Sequence, residues 1–338
     1  MRRMIVIGTL PCTLICVVAL ALYAQSAYMP TAPFTLKQAE FGKQLAATAA
    51  ELQKQIPNAN WADPAEPFKI IGNLYFVGPR YGEVYLLTSP QGHILLGAGM
   101  EKAQEIVERN IQTLGFKLTD VKAILLTHNH EDQAGGAAYL KAKTGAQVMA
   151  GFAEIPYLEH GIFNPPAIPA PAAPGGRGGQ AAAPRHYPDV KVDRALFDGD
   201  VVKVGPLSVT AYLIPGHSPS PASFLFTVRD GGREYKVVDL CCWEYPDDLS
   251  RNAYITEATV RHTFATFAKM YPVDIYLAAA AYNWSGVLSQ TSGTLEERIA
   301  KLKTDPKLWM NREIFNGFSA AREVDFEEKL AKTKNSNP

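Results

Sequence analysis

The chain has no excess charge of either sign: its 338 residues carry 33 Lys and Arg against 33 Asp and Glu. Without a basic stripe there is no footprint for a phosphate backbone, so no nucleic-acid partner is expected. Cysteine is scarce, with four in all. Cys12 and Cys16 fall in a leading apolar stretch, and Cys241 and Cys242 are neighbours. Adjacent cysteines pair only with strain, so a disulfide framework is excluded. Cys241 and Cys242 read as two small core residues at a strand end. A thiolate ligand is the lesser reading, because no Cys or His stands beside them at ligand spacing. Long hydrophobic runs are missing too, apart from Met4 to Ala24. No membrane contact is expected beyond that segment.

That one run has a basic start at Arg2 and Arg3 and small residues after it at Ala24, Ser26 and Ala27. This is the pattern of an export signal over residues 1–27, which places the mature chain in the periplasm or outside the cell. An uncleaved anchor is the alternative, since the run approaches the length of a membrane span. Removal of the segment takes away Arg2 and Arg3 and no acid, leaving a slightly acidic protein.

The remainder has ordinary globular composition, 47% hydrophobic and 20% charged, and enough length for one large domain. A helix is expected over residues 35–56, in an N-terminal helical extension spanning 28–60. Strands are expected at Phe68–Phe76, Glu83–Thr88, His93–Leu96, Val121–Thr127 and Gln147–Ala150. Gly72-Asn73 and Pro90-Gln91-Gly92 punctuate the first of these as turns. A helix over 101–114 precedes the fourth strand, with Gly115 as its C-terminal stop. A second set of strands follows at Lys191–Leu196, Val201–Val204, Leu207–Ile214, Ser223–Val228 and Tyr235–Leu240. A helix at Thr256–Tyr271, a strand at Val273–Ala278 and helices at Leu295–Lys303 and Arg312–Ala331 close the chain.

The sum is an α/β fold: an αββα sandwich of two mixed β-sheets with helices on the outer faces, over residues 61–290. Residues 291–338 are C-terminal helices that pack on it. Within the domain, residues 163–188 form an inserted loop. Its centre, Pro165 to Pro184, is almost wholly Pro, Ala and Gly, with Arg177 as the only charge. Such a stretch cannot bury a core. A tolerated insertion and a flap beside the functional site are both open readings.

The most informative stretch is Thr127-His128-Asn129-His130-Glu131-Asp132-Gln133. It follows an apolar strand and leads through Gly135-Gly136 into a helix. Its side chains therefore sit at the carboxyl end of a strand, where α/β folds place their chemistry. Two histidines one residue apart can point into one site, and Asp132 can serve a neighbouring metal position or orient water. About ninety residues later, Pro215-Gly216-His217 places another histidine directly after a strand. His93, His160, His186 and His262 have no partners at ligand spacing and read as ordinary strand, loop or surface residues.

His128-x-His130-x-Asp132 resembles the H-x-H-x-D-H signature of the metallo-β-lactamase superfamily, with Gln133 in the place of the last histidine. The Pro-Gly-His217 turn matches the turn that carries the superfamily's third zinc histidine. Further stretches are similar to the B-three subclass: Phe68 to Gly78, Ser89 to Leu96, Asn110 to Phe116, Lys191 to Arg194 and Asp198-Gly199-Asp200. The resemblance implies the metallo-β-lactamase fold and a zinc site of His128, His130 and His217 with an open fourth position. It also implies a second site holding Asp132, with Gln133 as a weaker contact and Ala280 where the subclass has a histidine.

The implied function is an exported zinc-dependent hydrolase. It would attack an amide or ester carbonyl of a small-molecule substrate, a β-lactam among the candidates, with zinc-bound hydroxide. Asp132 would orient the water and accept its proton. The alternative is a degenerate member of the family that binds a ligand or partner without turnover.

Overall fold

The computed structural model describes residues 28–55, 62–163, 185–241, 255–278 and 285–336. Residues 1–27, Trp61, the 164–184 run, Cys242 and the 279–284 stretch with Ala280 lie outside them. The strands are β1 (Phe68–Ile71), β2 (Leu74–Phe76), β3 (Tyr85–Leu87), β4 (His93–Leu96), β5 (Val121–Leu126), β6 (Gln147–Gly151), β7 (Ile162–Phe163), β8 (Arg185–His186), β9 (Arg194–Leu196), β10 (Val201–Val204), β11 (Leu207–Leu213), β12 (Ala222–Asp230), β13 (Arg233–Leu240) and β14 (Ile275–Ala278). The helices are α1 (Leu36–Gln53), α2 (Gln104–Thr113), α3 (Glu131–Ala134), α4 (Ala137–Thr144), α5 (Ile155–Leu158), α6 (Glu257–Met270), α7 (Ser285–Leu288), α8 (Leu295–Thr304) and α9 (Arg312–Ser336).

Two mixed sheets result. The first runs β1-β2-β3-β4-β5-β6-β9 and the second β10-β11-β12-β13-β14. In the first, β1 to β4 pair antiparallel and β4, β5, β6 and β9 pair parallel. In the second, only β13 and β14 are parallel. Alternation along β5 explains the layering. Ala123 and Leu125 face the inter-sheet core with Val209, Phe224 and Phe226. Ile124 and Leu126, and Val121 before the irregularity at Lys122, face outward to Val107 and Ile111 of α2 and Leu140 of α4. A strand buried on both faces reads as a continuous apolar run, as this one does. Phe264 and Phe267 of α6 and Phe315 of α9 cover the second sheet. The αββα sandwich expected from the sequence is the fold observed.

Three local features refine the expected elements. The stretch Phe68–Phe76 folds as a hairpin at the Gly72-Asn73 turn that the sequence marks; Gly72 adopts φ +52, and a Cβ there would lie 2.3 Å from the Arg229 carbonyl oxygen. The helix after the histidine motif begins at Ala137, behind the single turn α3. Gly135 and Gly136 lie between them, packed against the 97–101 loop: a Cβ would stand 2.6 Å from Glu101 N and 2.4 Å from Ala98 O. The strand expected from Lys191 starts only at Arg194.

The N-terminal extension is tied to the last helix. Gly42 of α1 meets Gly317 of α9 so closely that a Cβ on Gly42 would lie 1.9 Å from the Gly317 carbonyl oxygen. The buried Glu323 carboxylate accepts from Thr31 N, Thr31 Oγ1 and Tyr28 OH at 2.9, 2.6 and 3.1 Å. At the ends of the 164–184 run, β7 and β8 pair antiparallel. No helix among the described residues is long and apolar enough to cross a membrane.

Candidate metal centre

β5 lies between two parallel neighbours, so the loop leaving its carboxyl end emerges over the sandwich edge with no strand to continue into. That loop carries His128 and His130. The loop leaving β11 carries His217, and Ala222 N donates to Thr127 O at 2.7 Å, drawing the two loops together. The rings of His128, His130 and His217 stand edge to face, with centroids 4.5, 4.8 and 4.4 Å apart. Their ligand atoms lie within 4.8 Å of one another, and among the described residues this is the one group suited to a metal ion. His128 and His130 are buried and His217 is half-buried, so the group opens on one side.

Hydrogen bonds settle which nitrogen of His128 faces the group. Thr127 Oγ1 donates its single proton to Gln133 Oε1 at 3.2 Å. It can then only accept from His128 Nδ1, 3.0 Å away. Nδ1 therefore carries the proton and Nε2 presents a lone pair. Nε2 is buried and has no hydrogen-bond partner. Protonation is no remedy, because burial and then the neighbouring His130 and His217 hold the imidazole well below its ordinary pKa. A buried nitrogen lone pair beside two further imidazoles is what a divalent cation satisfies. The residues present fit a metal.

Asp132 and Gln133 sit on α3. Asp132 is half-buried, and its desolvated carboxyl is pushed up to about 6. It does not join the mutually close histidine group. Gln133 is buried and spends its Oε1 on Thr127. A Cβ on Gly97 would lie 2.9 Å from that same oxygen, so glycine at 97 makes room for the amide. His93 lies in β4, edge-on to Phe116, while His160, His186 and His262 stay outside the group.

Several groups here escape a reading by motif. Cys241, at the end of β13, brings its Sγ to 3.4 Å from His128 Nδ1. The sequence reads both cysteines as core packing; Cys242 lies outside the described residues, and Cys241 is buried, against a site histidine. Asp239, two residues earlier on the same strand face, is buried with Oδ1 unpartnered, and burial pushes its carboxyl up to about 7. Glu83 is buried beside Tyr85, Asp239 and Asp132. Burial, then the charges of Asp239 and Asp132, hold it well above the carboxylate range. An apolar strand ending in Asp-Leu-Cys was the available signal for Asp239 and Cys241; none marked Glu83. A cleft of about 830 Å³, among Lys69, Thr88, Arg229 and Lys236, contains none of these groups.

Comparison with known proteins agrees with this geometry. Residues 77–230 match the model of the metallo-β-lactamase superfamily. The chain is 32% identical over 120 residues to a hydroxyacylglutathione hydrolase of Methylobacterium nodulans, covering 36% of this chain and 34% of the relative. It is 28% identical over 170 residues to the probable metallo-hydrolase YflN of Bacillus subtilis, covering 48% of this chain and 58% of the relative. The chain thus spans about a third to three-fifths of the length of these curated relatives. Likeness to solved structures reaches further. The metallo-β-lactamase SMB-1 is 30% identical with a TM-score of 0.64, covering 81% of this chain and 100% of its own. BJP-1, a subclass B3 metallo-β-lactamase of Bradyrhizobium japonicum, is 30% identical with a TM-score of 0.60, covering 82% of this chain and 98% of its own. With the sandwich, the two histidine loops and the whole length of a solved relative accounted for, this chain belongs to the metallo-β-lactamase superfamily.

Proposed function

We propose that this chain is an exported zinc-dependent hydrolase that cleaves an amide or ester carbonyl. The observation that carries the proposal is the buried, unpartnered Nε2 of His128 within reach of the His130 and His217 ligand atoms. Three neutral nitrogens with one open side make a catalytic rather than a structural zinc set. A bound zinc ion supplies Lewis acidity, polarising a carbonyl and making water acidic enough to attack near neutral pH.

The chain's own groups do the rest. Thr127 and Gln133 hold His128 in the tautomer that offers Nε2. The half-buried Asp132, whose carboxyl burial pushes up to about 6 in the metal-free chain, is the group assigned to orient the attacking water and accept its proton. Asp132 is also the ligand on which a second ion would rest, with the Gln133 amide oxygen beside it. β-Lactams and acylated glutathiones are the candidate substrates, from the names of the relatives. Export to the periplasm or beyond rests on the Arg2-Arg3 start and the apolar run that follows.

A second reading, binding without turnover, is favoured by one observation: Gln133 gives its oxygen to Thr127 and offers no imidazole nitrogen. Elemental analysis of the purified chain, with rates on a panel of β-lactams, acylated glutathione and simple esters, separates the two. Zinc with turnover supports the hydrolase, and zinc without turnover on any panel member supports the second reading. A chain that takes up no zinc sinks both assignments of the histidines.

A further inference from the structure

Glu154 follows β6, 24 residues after His130 in the chain and 63 before His217, and has no exposed surface. Its two carboxylate oxygens divide between the two histidine loops. Oε2 accepts from Asn129 N at 3.0 Å and Asn129 Nδ2 at 2.6 Å. Asn129 is the residue between His128 and His130. Oε1 accepts from Ser218 Oγ and from Ser220 N, both at 2.7 Å. Ser218 is the residue after His217. Four donors converge on one buried carboxylate, which is what a buried anion requires. Burial raises the affinity of Glu154 for a proton, while all four hydrogen bonds oppose that rise.

The surroundings hold this arrangement in place. Ala153 N donates to Ser220 Oγ at 2.8 Å. A Cβ on Gly151 would lie 1.9 Å from Ser220 O, so only glycine lets the 217–220 loop approach β6 this closely. Tyr187 OH donates to Asn129 O at 2.6 Å from the other side. The loop backbones are thus anchored independently of the imidazoles themselves.

We propose that Glu154 is the positioning residue of the metal centre: one carboxylate that sets the separation of the His128–His130 turn from the His217 turn. The inference rests on the zinc reading above. The hydrogen bonds of Glu154 go to Asn129, Ser218 and Ser220, residues beside the ligands, so it acts on zinc affinity through preorganisation, as groups behind metal ligands do.

The test is zinc affinity, by competition with a chromophoric chelator, measured beside the melting temperature of the metal-free protein. Glu154→Gln keeps volume and one acceptor oxygen but turns an NH₂ towards one loop's donors. Zinc affinity should fall about tenfold or more with the metal-free melting temperature little changed, and excess zinc should restore turnover towards the parent rate. Glu154→Gln with parent zinc affinity overturns the proposal, as does a loss no larger than the fall in metal-free stability explains. If Glu154→Gln does not fold, Ser218→Ala decides: weaker zinc binding supports the clamp, and parent affinity overturns it. A parent protein that binds no zinc would instead sink the zinc reading itself, before Glu154 is tested.

Discussion

The hydroxyl of Thr127 donates to the side-chain oxygen of Gln133 across 3.2 Å, two groups six residues apart on either side of the His128–His130 turn. The position that departs from the superfamily signature is therefore still wired to the centre. It acts through an acceptor oxygen and a hydroxyl on the far nitrogen of His128. A histidine there would offer a nitrogen to a metal; the glutamine instead takes the Thr127 proton and so sets the tautomer of His128.

Zinc stoichiometry tests this division. Three imidazoles hold one ion tightly, and Asp132 alone is a poor cage for another. About one zinc per chain should survive dialysis against a weak chelator. His217→Ala should lose it, because two imidazoles with water are a weak set. Gln133→Ala should keep it, with affinity lowered several-fold as Thr127 becomes free to offer its proton to Nδ1. Elemental analysis and chelator competition read both. Gln133→Ala stripped as completely as His217→Ala would place Gln133 among the ligands.

How much was legible beforehand follows from where signals are local. Strand β5, the two histidine turns and the sheet count are written in short windows of apolar periodicity and turn residues. The contacts that finish the site are not. Cys241 reaches His128 across 113 residues, and Glu154 reaches Ser218 across 64. No spacing rule links them, because their meeting depends on the order β5-β6-β9 in one sheet and β11-β12-β13 in the other. Gly72 shows both sides: the Gly72-Asn73 turn is marked in the sequence, while the close approach of the Arg229 carbonyl is not.

Cys241 should prove a neighbour rather than a ligand. Thr127 Oγ1 already holds His128 Nδ1 at 3.0 Å, so the thiol at 3.4 Å adds a weak contact. Cys241→Ala should keep the zinc content and lose at most about 1–2 kcal/mol of stability, the cost of deleting a small buried side chain. Zinc lost from Cys241→Ala at the level of His217→Ala would show that the sulfur binds the ion.

Gly42 tests whether the N-terminal extension is integral to the fold. Gly42→Ala puts a methyl 1.9 Å from Gly317 O, backbone that cannot swing aside. Helices α1 and α9 must part, at about 1–3 kcal/mol and a few degrees in melting temperature. The zinc content of the folded variant should match the parent, since neither helix carries a ligand. An unchanged melting curve would mean that α1 packs elsewhere.

The buried carboxyl of Asp239 gives a pH signature in the metal-free protein. Its folded pKa, pushed up to about 7 by burial, lies above the roughly 3.9 of an unfolded Asp. The folded state therefore binds the extra proton between those values, and stability falls as pH rises from about 4 to about 7, then levels off. His128 slopes the other way near neutrality, because burial and its histidine neighbours hold its folded pKa well below the ordinary value. The informative quantity is thus the difference between variant and parent. Asp239→Asn should gain stability relative to the parent across that window, by on the order of a few kcal/mol in total, with a constant offset on either side. Urea midpoints at pH 5, 6, 7 and 8 would trace it. A difference that stays flat with pH would mean that Asp239 is ionised in the fold and has found a partner for its charge.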